Sequence, residues 1–452
     1  MFYQAKHPKS QWMWDVWMYH HNDTYYLYSL CASGGDGFDN FSMATSEDGV
    51  HWKESGPVLT RDAGVTGMGT GSTWANPVPG AKPQFQINYS SWIGNRETIF
   101  FAQSDDLIHW TKCGKKNEFV RDERWYEPKG RWDCIWTVAR PGGGLYGYWT
   151  ATPKRELVNA PCGQFGFGES SDGITWTALE PPKVSGVGTG EVGAVEKVGE
   201  RHIMLFGSDM RMITLVADKP QGPFSVAAKN PAVLSGHTYF ARFLRAPSGL
   251  LVCHHTIARP SYGKVSVGLL KGTHFDAEGT LRLTWWPGNE ALKHKPVAVP
   301  PLADGGNGPI RMFSRKLDAA SGLVLEGKLQ LPRPLGAPQG LYIEHSEGKG
   351  TAILFNSEGR AELGSLAADG TGFKAEKTVD REMQFGEPAL RQRSGQARFR
   401  LLLEDALLEI YLDDFLIECY SLPAPATGRI GMISGHQQDS ISELKAWRST
   451  SA

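Results

Sequence analysis

Ser46-Glu47-Asp48-Gly49-Val50-His51-Trp52 returns twice along the chain, as Ser104-Asp105-Asp106-Leu107-Ile108-His109-Trp110 and as Ser170-Ser171-Asp172-Gly173-Ile174-Thr175-Trp176. The shared pattern is Ser, any residue, Asp, three residues, Trp. A degraded fourth copy runs from Ala217-Asp218 to Pro223-Phe224. The copies recur every ~60 residues, a spacing that suits a four-stranded propeller blade with its loops. Upstream of each lie two runs of alternating apolar residues joined by a short polar or Gly turn, the pattern of a hairpin. These runs are 16–20 and 24–32, 134–139 and 145–150, and 192–198 and 201–208, with a fifth pair at 240–246 and 250–255. The second pair, 72–77 and 84–91, is less regular. Five such units predict an all-β, five-bladed β-propeller over residues 1–300. In each repeat the Ser and Asp side chains can bond nearby backbone N–H groups and the Trp can pack between blades, so these Asp residues read as turn-formers.

The pattern stops near residue 300. Pro300-Pro301-Leu302-Ala303-Asp304-Gly305-Gly306 reads as a linker, assigned to 301–309. From residue 310 alternation in period two resumes, and 407–412, Asp413-Asp414 and 415–420 read as a hairpin. Residues 310–452 therefore predict a C-terminal β-sandwich domain.

Composition narrows the function. The formal net charge is −1, with Lys and Arg scattered, which argues against a nucleic-acid groove or an anionic membrane surface as partner. No apolar run is long enough for a transmembrane helix. The N-terminus has no charged region followed by an apolar stretch, so no signal peptide is expected, and a cytoplasmic protein and one whose leader was removed read alike. The chain has 53 Gly and 15 Trp, and Trp faces suit both β cores and sugar stacking. The six cysteines are widely spaced without a Cys-x-x-Cys pair, so most read as buried thiols.

The units also align at their heads. Just before the first expected strand stand Asp15 in the first unit, Asp133 in the third and Glu191 in the fourth. The second unit has Gly71 or Ser72 there, and the fifth Thr238 or Tyr239. If each first strand is innermost in its blade, three carboxyl groups ring one end of a central channel. Converging carboxylates repel, so burial keeps at least one protonated. A protonated acid beside an ionised one is what glycoside cleavage requires.

Gln11-Trp12-Met13-Trp14-Asp15 resembles the W-M-N-D-P-N-G box of glycoside hydrolase family 32, the β-fructofuranosidases. Residues 41–52, ending in Val50-His51-Trp52, resemble that family's next segment. Families 43 and 68 share the propeller and its acids. The resemblance spans the chain, including the C-terminal sandwich. It implies that Asp15 is nucleophile, or general base if the inverting family 43 is nearer. It implies that Asp133 stabilises the transition state and that Glu191 is the general acid. Val16-Trp17 after Asp15, Trp132 and Cys134 around Asp133, and the lack of a Cys after Glu191 depart from the family boxes and loosen the fructoside expectation. Asp122, in Arg121-Asp122, is a rival second acid; Asp133 is preferred because only it leaves the third hairpin in register.

The resulting expectation is an exo-acting glycosidase that removes a terminal, fructoside- or arabinoside-like furanosyl residue from an oligo- or polysaccharide, without a cofactor. A glycosyl-transferring or anhydride-forming relative would use the same acids, and a non-catalytic carbohydrate-binding propeller would use none. Trp14, Trp74 and Trp132 fall near strand starts and could form a sugar platform, core packing being the competing use. His237 could touch substrate or simply pack. His254 and His255 point to opposite faces of a strand, so at most one could meet an ion, and no metal site is expected.

Overall fold

The computed structural model describes all residues except 1, 36, 95, 158–164, 229–231, 260–264, 276–279, 304–307, 332–336, 356–360, 380–395, 435–440 and 450–452. The regular secondary structure of the described residues is almost entirely strand, with only short 3-10 turns such as Lys115–Asn117 and Pro287–Leu292. Helical periodicity is nearly absent from the sequence, and the structure follows that pattern.

Successive sheets form from consecutive segments. Trp12–His21, Thr24–Ala32, Asn40–Ser46 and Lys53–Thr60 make one antiparallel meander. Trp132–Ala139, Leu145–Ala151, Phe165–Ser170 and Thr177–Leu179 make another. Glu191–Val198, Arg201–Ser208, Arg211–Ala217 and Phe224–Val226 repeat the order, with Val184–Ser185 and Ala232–Ser235 added. Between the first two meanders, Phe85–Ile93 pairs with Arg96–Ser104, and Arg96–Ser104 pairs with Thr111–Lys112. Here the expected first strand is split: Gly67–Met68 and Thr73–Ala75 both pair with Phe85–Ile93. The irregular second hairpin of the sequence is this interruption. Arg242–Ala246, Gly249–Cys253, Lys271–Phe275 and Leu281–Trp285 follow, and the last of these bridges Thr284 to Phe415 in the C-terminal half.

The repeated Ser-x-Asp elements lie between the third and fourth strands of their sheets and are held locally. Ser46 Oγ accepts the Gly49 N–H at 2.8 Å, and Asp48 Oδ1 accepts those of Val50 and His51 at 2.9 and 2.8 Å. Asp106 and Asp172 make the same bonds in their own copies. The Trp residues then pack sideways: Trp176 meets Trp74 at 6.4 Å between centroids, and Trp110 meets Tyr28 at 6.2 Å. Trp74 and Tyr28 belong to preceding sheets, so the repeated Trp ties sheet to sheet. The degraded copy at 217–224 occupies the same connection in its own sheet, between Arg211–Ala217 and Phe224–Val226.

In the C-terminal half, Leu323–Gln330, Gln396–Glu404, Leu407–Leu412, Phe415–Ser421 and Ile441–Arg448 form one sheet. Ile310–Met312, Gln339–Ser346, Lys349–Phe355, Ala361–Ala367, Lys374–Val379 and Ile430–Ile433 form a second. Their buried faces meet in one apolar cluster that includes Leu325, Leu401, Ile410, Leu341, Ile353 and Leu363. Asp413 and Asp414 both have positive φ, 48° and 69°, the backbone a two-residue hairpin turn needs. Lys295–Val297, ahead of the expected linker, already pairs with Ile441–Arg448. Residues 304–307 of that linker lie outside the described residues. Cys31, Cys134, Cys253 and Cys419 are buried free thiols and Cys113 is half-buried, while Cys162 lies outside the described residues.

The bonds to Asp48 hold its carboxyl at about 2, below the usual 3.8, against the opposing effect of partial burial. A depressed folded-state value contributes stability above the unfolded pKa that is lost as pH falls through the folded one. Asp48→Ala should therefore cost about 1 kcal/mol in urea unfolding at pH 7, given the partial exposure of the group. The difference from the unsubstituted protein should shrink between about pH 4 and pH 2.

Candidate active site

Each of the three acid-bearing strands is irregular at or beside its acid. In Trp12–His21 the register with Thr24–Ala32 slips between Met13 and Val16, so Trp14 and Asp15 together oppose Leu30. In Trp132–Ala139 the slip lies between Asp133 and Trp136, where Cys134 has a φ of 51°. In Glu191–Val198 it lies between Val192 and Ala194. Such bulges bend a strand and re-aim the adjacent side chain. The sequence suggested that the acids precede their strands, but all three lie within them: Asp15 is the fourth residue of the first and Asp133 the second of its own. Glu191 is the first residue of its strand. The alternation breaks at a bulge, which hides the true strand start from a pattern of period two.

The guanidinium of Arg131 gathers the site. It donates from Nη1 to Glu191 Oε1 at 2.5 Å, from Nη2 to Asp133 Oδ2 at 3.1 Å, and from Nε to Glu97 Oε2 at 3.1 Å. Glu97 Oε2 also accepts the Trp132 N–H at 2.8 Å. Asp133 Oδ1 accepts the Ser90 hydroxyl, whose oxygen in turn accepts the Cys134 N–H. Glu191 Oε2 accepts the Tyr239 hydroxyl at 3.2 Å. A Cβ on Gly69 would stand 2.8 Å from Asp133 Oδ1, so only glycine permits this approach. Below the acids Arg242 is fully buried. It donates to the Val192 and Gly193 carbonyls and, at 3.2 Å, to Cys134 Sγ. It thus fastens two of the three bulges together.

Asp15 differs from its neighbours. It is 9% exposed, and its Oδ1 has no hydrogen-bond partner among the described residues. Burial, with the charges of Glu191 and Asp133, pushes its carboxyl up to about 7; the guanidinium groups of Arg242 and Arg131 oppose the shift. Asp133 is also raised by burial, with Arg131 opposing. His255 Nδ1 lies 3.9 Å from Asp15 Oδ1, and burial with the Arg242 charge drives His255 down to about 3, so the ring is neutral.

The other expected residues are distributed unevenly. Trp14 is half-buried beside the site, its ring 4.9 Å from that of His255. Trp74 and Trp132 do not offer a platform: they are buried, and their N–H groups are bonded to Gln86 and to the Phe119 carbonyl. His237 faces the C-terminal half, its ring against Tyr420 at 5.5 Å and its Nδ1 accepting the Ser421 N–H at 3.4 Å. Asp122 is taken up by Arg124 within its own turn. His254 points away from Asp15, toward Glu409 and Cys419. The carboxylate of Glu409 already accepts Lys271 Nζ at 2.7 Å and the Tyr411 hydroxyl at 2.6 Å, so an ammonium holds the place a cation would take.

Arg131, Glu97, Ser90 and Arg242 were not singled out from the sequence. Tyr239 was, but only as a position without an acid. Arg131 carried a signal, since it stands two residues before Asp133 and residues two apart on a strand share a face.

No protein-family model matches the chain, and no curated protein matches its sequence. Solved structures do match over its length. Fructan 1-exohydrolase IIa from Cichorium intybus is 15% identical, with a TM-score of 0.68 over 100% of this chain and 97% of that one. The chain has the fold of the family 32 fructofuranosidases. A GH32 β-fructofuranosidase from Bombyx mori is 14% identical, at a TM-score of 0.71 over 98% of this chain and 92% of that one. Sucrose-6-phosphate hydrolase from Lactobacillus gasseri is 15% identical, at 0.68 over 95% and 89%. The Cichorium protein has also been solved with 1-kestose, and a Schwanniomyces occidentalis fructofuranosidase with fructosylnystose. The fold likeness the sequence suggested therefore extends through the C-terminal half.

A carboxyl raised from 3.8 to about 7 means that the folded state binds the extra proton. Stability contributed by the neutral form is lost as pH rises through this window. Asp15→Asn should melt a few degrees above the unsubstituted protein at pH 8, and the gain should disappear below about pH 4.

Proposed function

We propose that this chain is an exo-acting glycoside hydrolase that removes a terminal furanosyl residue, fructoside-like in kind, from an oligo- or polysaccharide. The observation that carries the reading is the meeting of Glu97, Asp133 and Glu191, from neighbouring sheets, on Arg131, with Asp15 inside the field of the same charges. The whole-chain likeness to fructan- and sucrose-cleaving enzymes supports the substrate class. We read the fold as a five-bladed propeller over residues 1–300, a linker at 301–309 and a β-sandwich over 310–452. The serial four-stranded meanders and the two facing C-terminal sheets support that division.

In this reading Glu191 protonates the glycosidic oxygen as the bond to the anomeric carbon breaks, and Asp15 as carboxylate attacks that carbon. Water, deprotonated by Glu191, then releases the sugar with retained configuration. Asp133, held by Ser90 and Arg131, is placed to accept from sugar hydroxyls and to balance the positive charge of the oxocarbenium-like transition state. Tyr239 orients Glu191 through its second oxygen.

One observation favours a second reading in which Asp15 and Glu191 exchange roles. Both oxygens of Glu191 accept donors, whereas Asp15 Oδ1 accepts none, an arrangement that keeps the resting proton on Asp15. The pH profile separates the two. If Asp15 is nucleophile, kcat/KM on an aryl β-fructofuranoside rises as pH passes through about 7. If Asp15 is the acid, kcat/KM falls through the same region.

Either way, Glu191→Gln and Asp15→Asn should each lose about 100-fold or more of kcat on an unactivated fructo-oligosaccharide while remaining folded. Full activity in both variants, or no cleavage of any aryl furanoside or pyranoside by the unsubstituted protein, would sink the proposal. Product analysis at high sugar concentration separates hydrolysis from transfer.

A further inference from the structure

The functional reading leaves His255 without a task. It is fully buried beside the acids, on the strand His255–Ile257. Neither of its ring nitrogens has a hydrogen-bond partner among the described residues. Burying an imidazole with both nitrogens unmet is costly. The ring packs against two others, Trp14 at 4.9 Å and Tyr239 at 6.0 Å between centroids. A Phe would serve those contacts without the polar penalty, so packing does not account for the nitrogens.

Asp15 has the complementary lack. Its Oδ1 is buried and accepts nothing, 3.9 Å from His255 Nδ1. Solvent reaches 13% of the Asp15 side chain but essentially none of Oδ1, which leaves Oδ2 as the oxygen for chemistry. The separation is too long for a hydrogen bond. A shift of about 1 Å closes it, and the terminal torsion of an aspartate is soft enough to supply that. The imidazole, gripped by Trp14 and Tyr239, is the stationary partner. Burial and the nearby Arg242 charge keep it neutral, so one nitrogen carries a hydrogen and the other a lone pair. A carboxylate oxygen opposite Nδ1 calls for the hydrogen there.

We propose that His255 is the positioning residue of Asp15: it donates from Nδ1 to Oδ1 and so turns Oδ2 toward the substrate. The inference rests on the functional reading above, in either assignment of the two acids. As nucleophile, Asp15 attacks the anomeric carbon through Oδ2. As acid, it carries its proton on Oδ2, because Oδ1 is occupied by the imidazole N–H.

The test uses two variants of the full chain with opposite losses. His255→Phe keeps the aromatic contacts and loses the donor. His255→Asn loses the ring but keeps a donor near the place of Nδ1. On an aryl β-fructofuranoside, His255→Phe should lose about 30–100-fold of kcat and His255→Asn less than about 10-fold, with KM moved by no more than about 3-fold in either. The reverse order of kcat losses, equal losses, or a change confined to KM overturns the proposal. The second readout is 15N NMR of the histidine-labelled protein at pH 8, where most of Asp15 is ionised. The His255 signal, assigned by its loss in His255→Asn, must show a protonated Nδ1 and a bare Nε2, and the Nδ1 signal must move in Asp15→Asn. The opposite tautomer, or an Nδ1 indifferent to Asp15→Asn, is equally fatal. Should neither His255 variant fold, the same signal is assigned through the ring contact with Trp14, and the tautomer decides. The NMR arm needs no turnover. A protein that cleaves no furanoside would therefore defeat the functional reading and still leave the bond between His255 and Asp15 to be decided on its own.

Discussion

Acids that must work together repel one another, and the site is organised around the answer to that repulsion. Glu97, Asp133 and Glu191 come from three neighbouring sheets and end on a single guanidinium, that of Arg131. A Lys could supply the charge but not three divergent donors in one plane. The arrangement divides the acids by environment. Asp133 and Glu191 are supplied with donors, while Asp15, from the first sheet, is buried with one oxygen unsatisfied and its carboxyl pushed up to about 7. Two carboxyl groups held in different environments within one pocket are the elementary equipment of acid–base cleavage.

That convergence depends on backbone irregularity. A strand with perfect alternation would send neighbouring residues to opposite faces and offer no adjustment at its end. Each acid-bearing strand instead carries a bulge at or beside the acid. The bulges free carbonyl groups that regular pairing would consume, and Arg242 takes up two of them from beneath. Sheet-to-sheet packing through the repeated tryptophans then holds the ring of strands in place.

What the sequence made legible was mostly local. The Ser-x-Asp turns bond within a few residues of themselves, so their spacing alone located the sheets. The Asp413-Asp414 hairpin is likewise specified by its own turn residues. Asp15, Asp133 and Glu191 were visible because they recur at equivalent places in a repeat. Contacts between distant segments stayed hidden: Glu97 and Glu191 lie 34 and 60 positions from Arg131, and no period relates them. Trp74 and Trp132 looked available at strand starts, but both are buried, with edge-on ring contacts to Phe101 and Trp149. His237 is drawn to Tyr420 and Ser421, partners that only the folding of the C-terminal half supplies.

The central claim is that these acids bound one sugar-binding pocket. A crystal structure of the Glu191→Gln protein soaked with a short fructo-oligosaccharide tests it most directly. The account requires the terminal furanose ring to lie between Asp15 and Asp133, with its glycosidic oxygen within hydrogen-bond reach of Gln at position 191. An oligosaccharide bound elsewhere on the chain, with the pocket around Arg131 unoccupied, would contradict it.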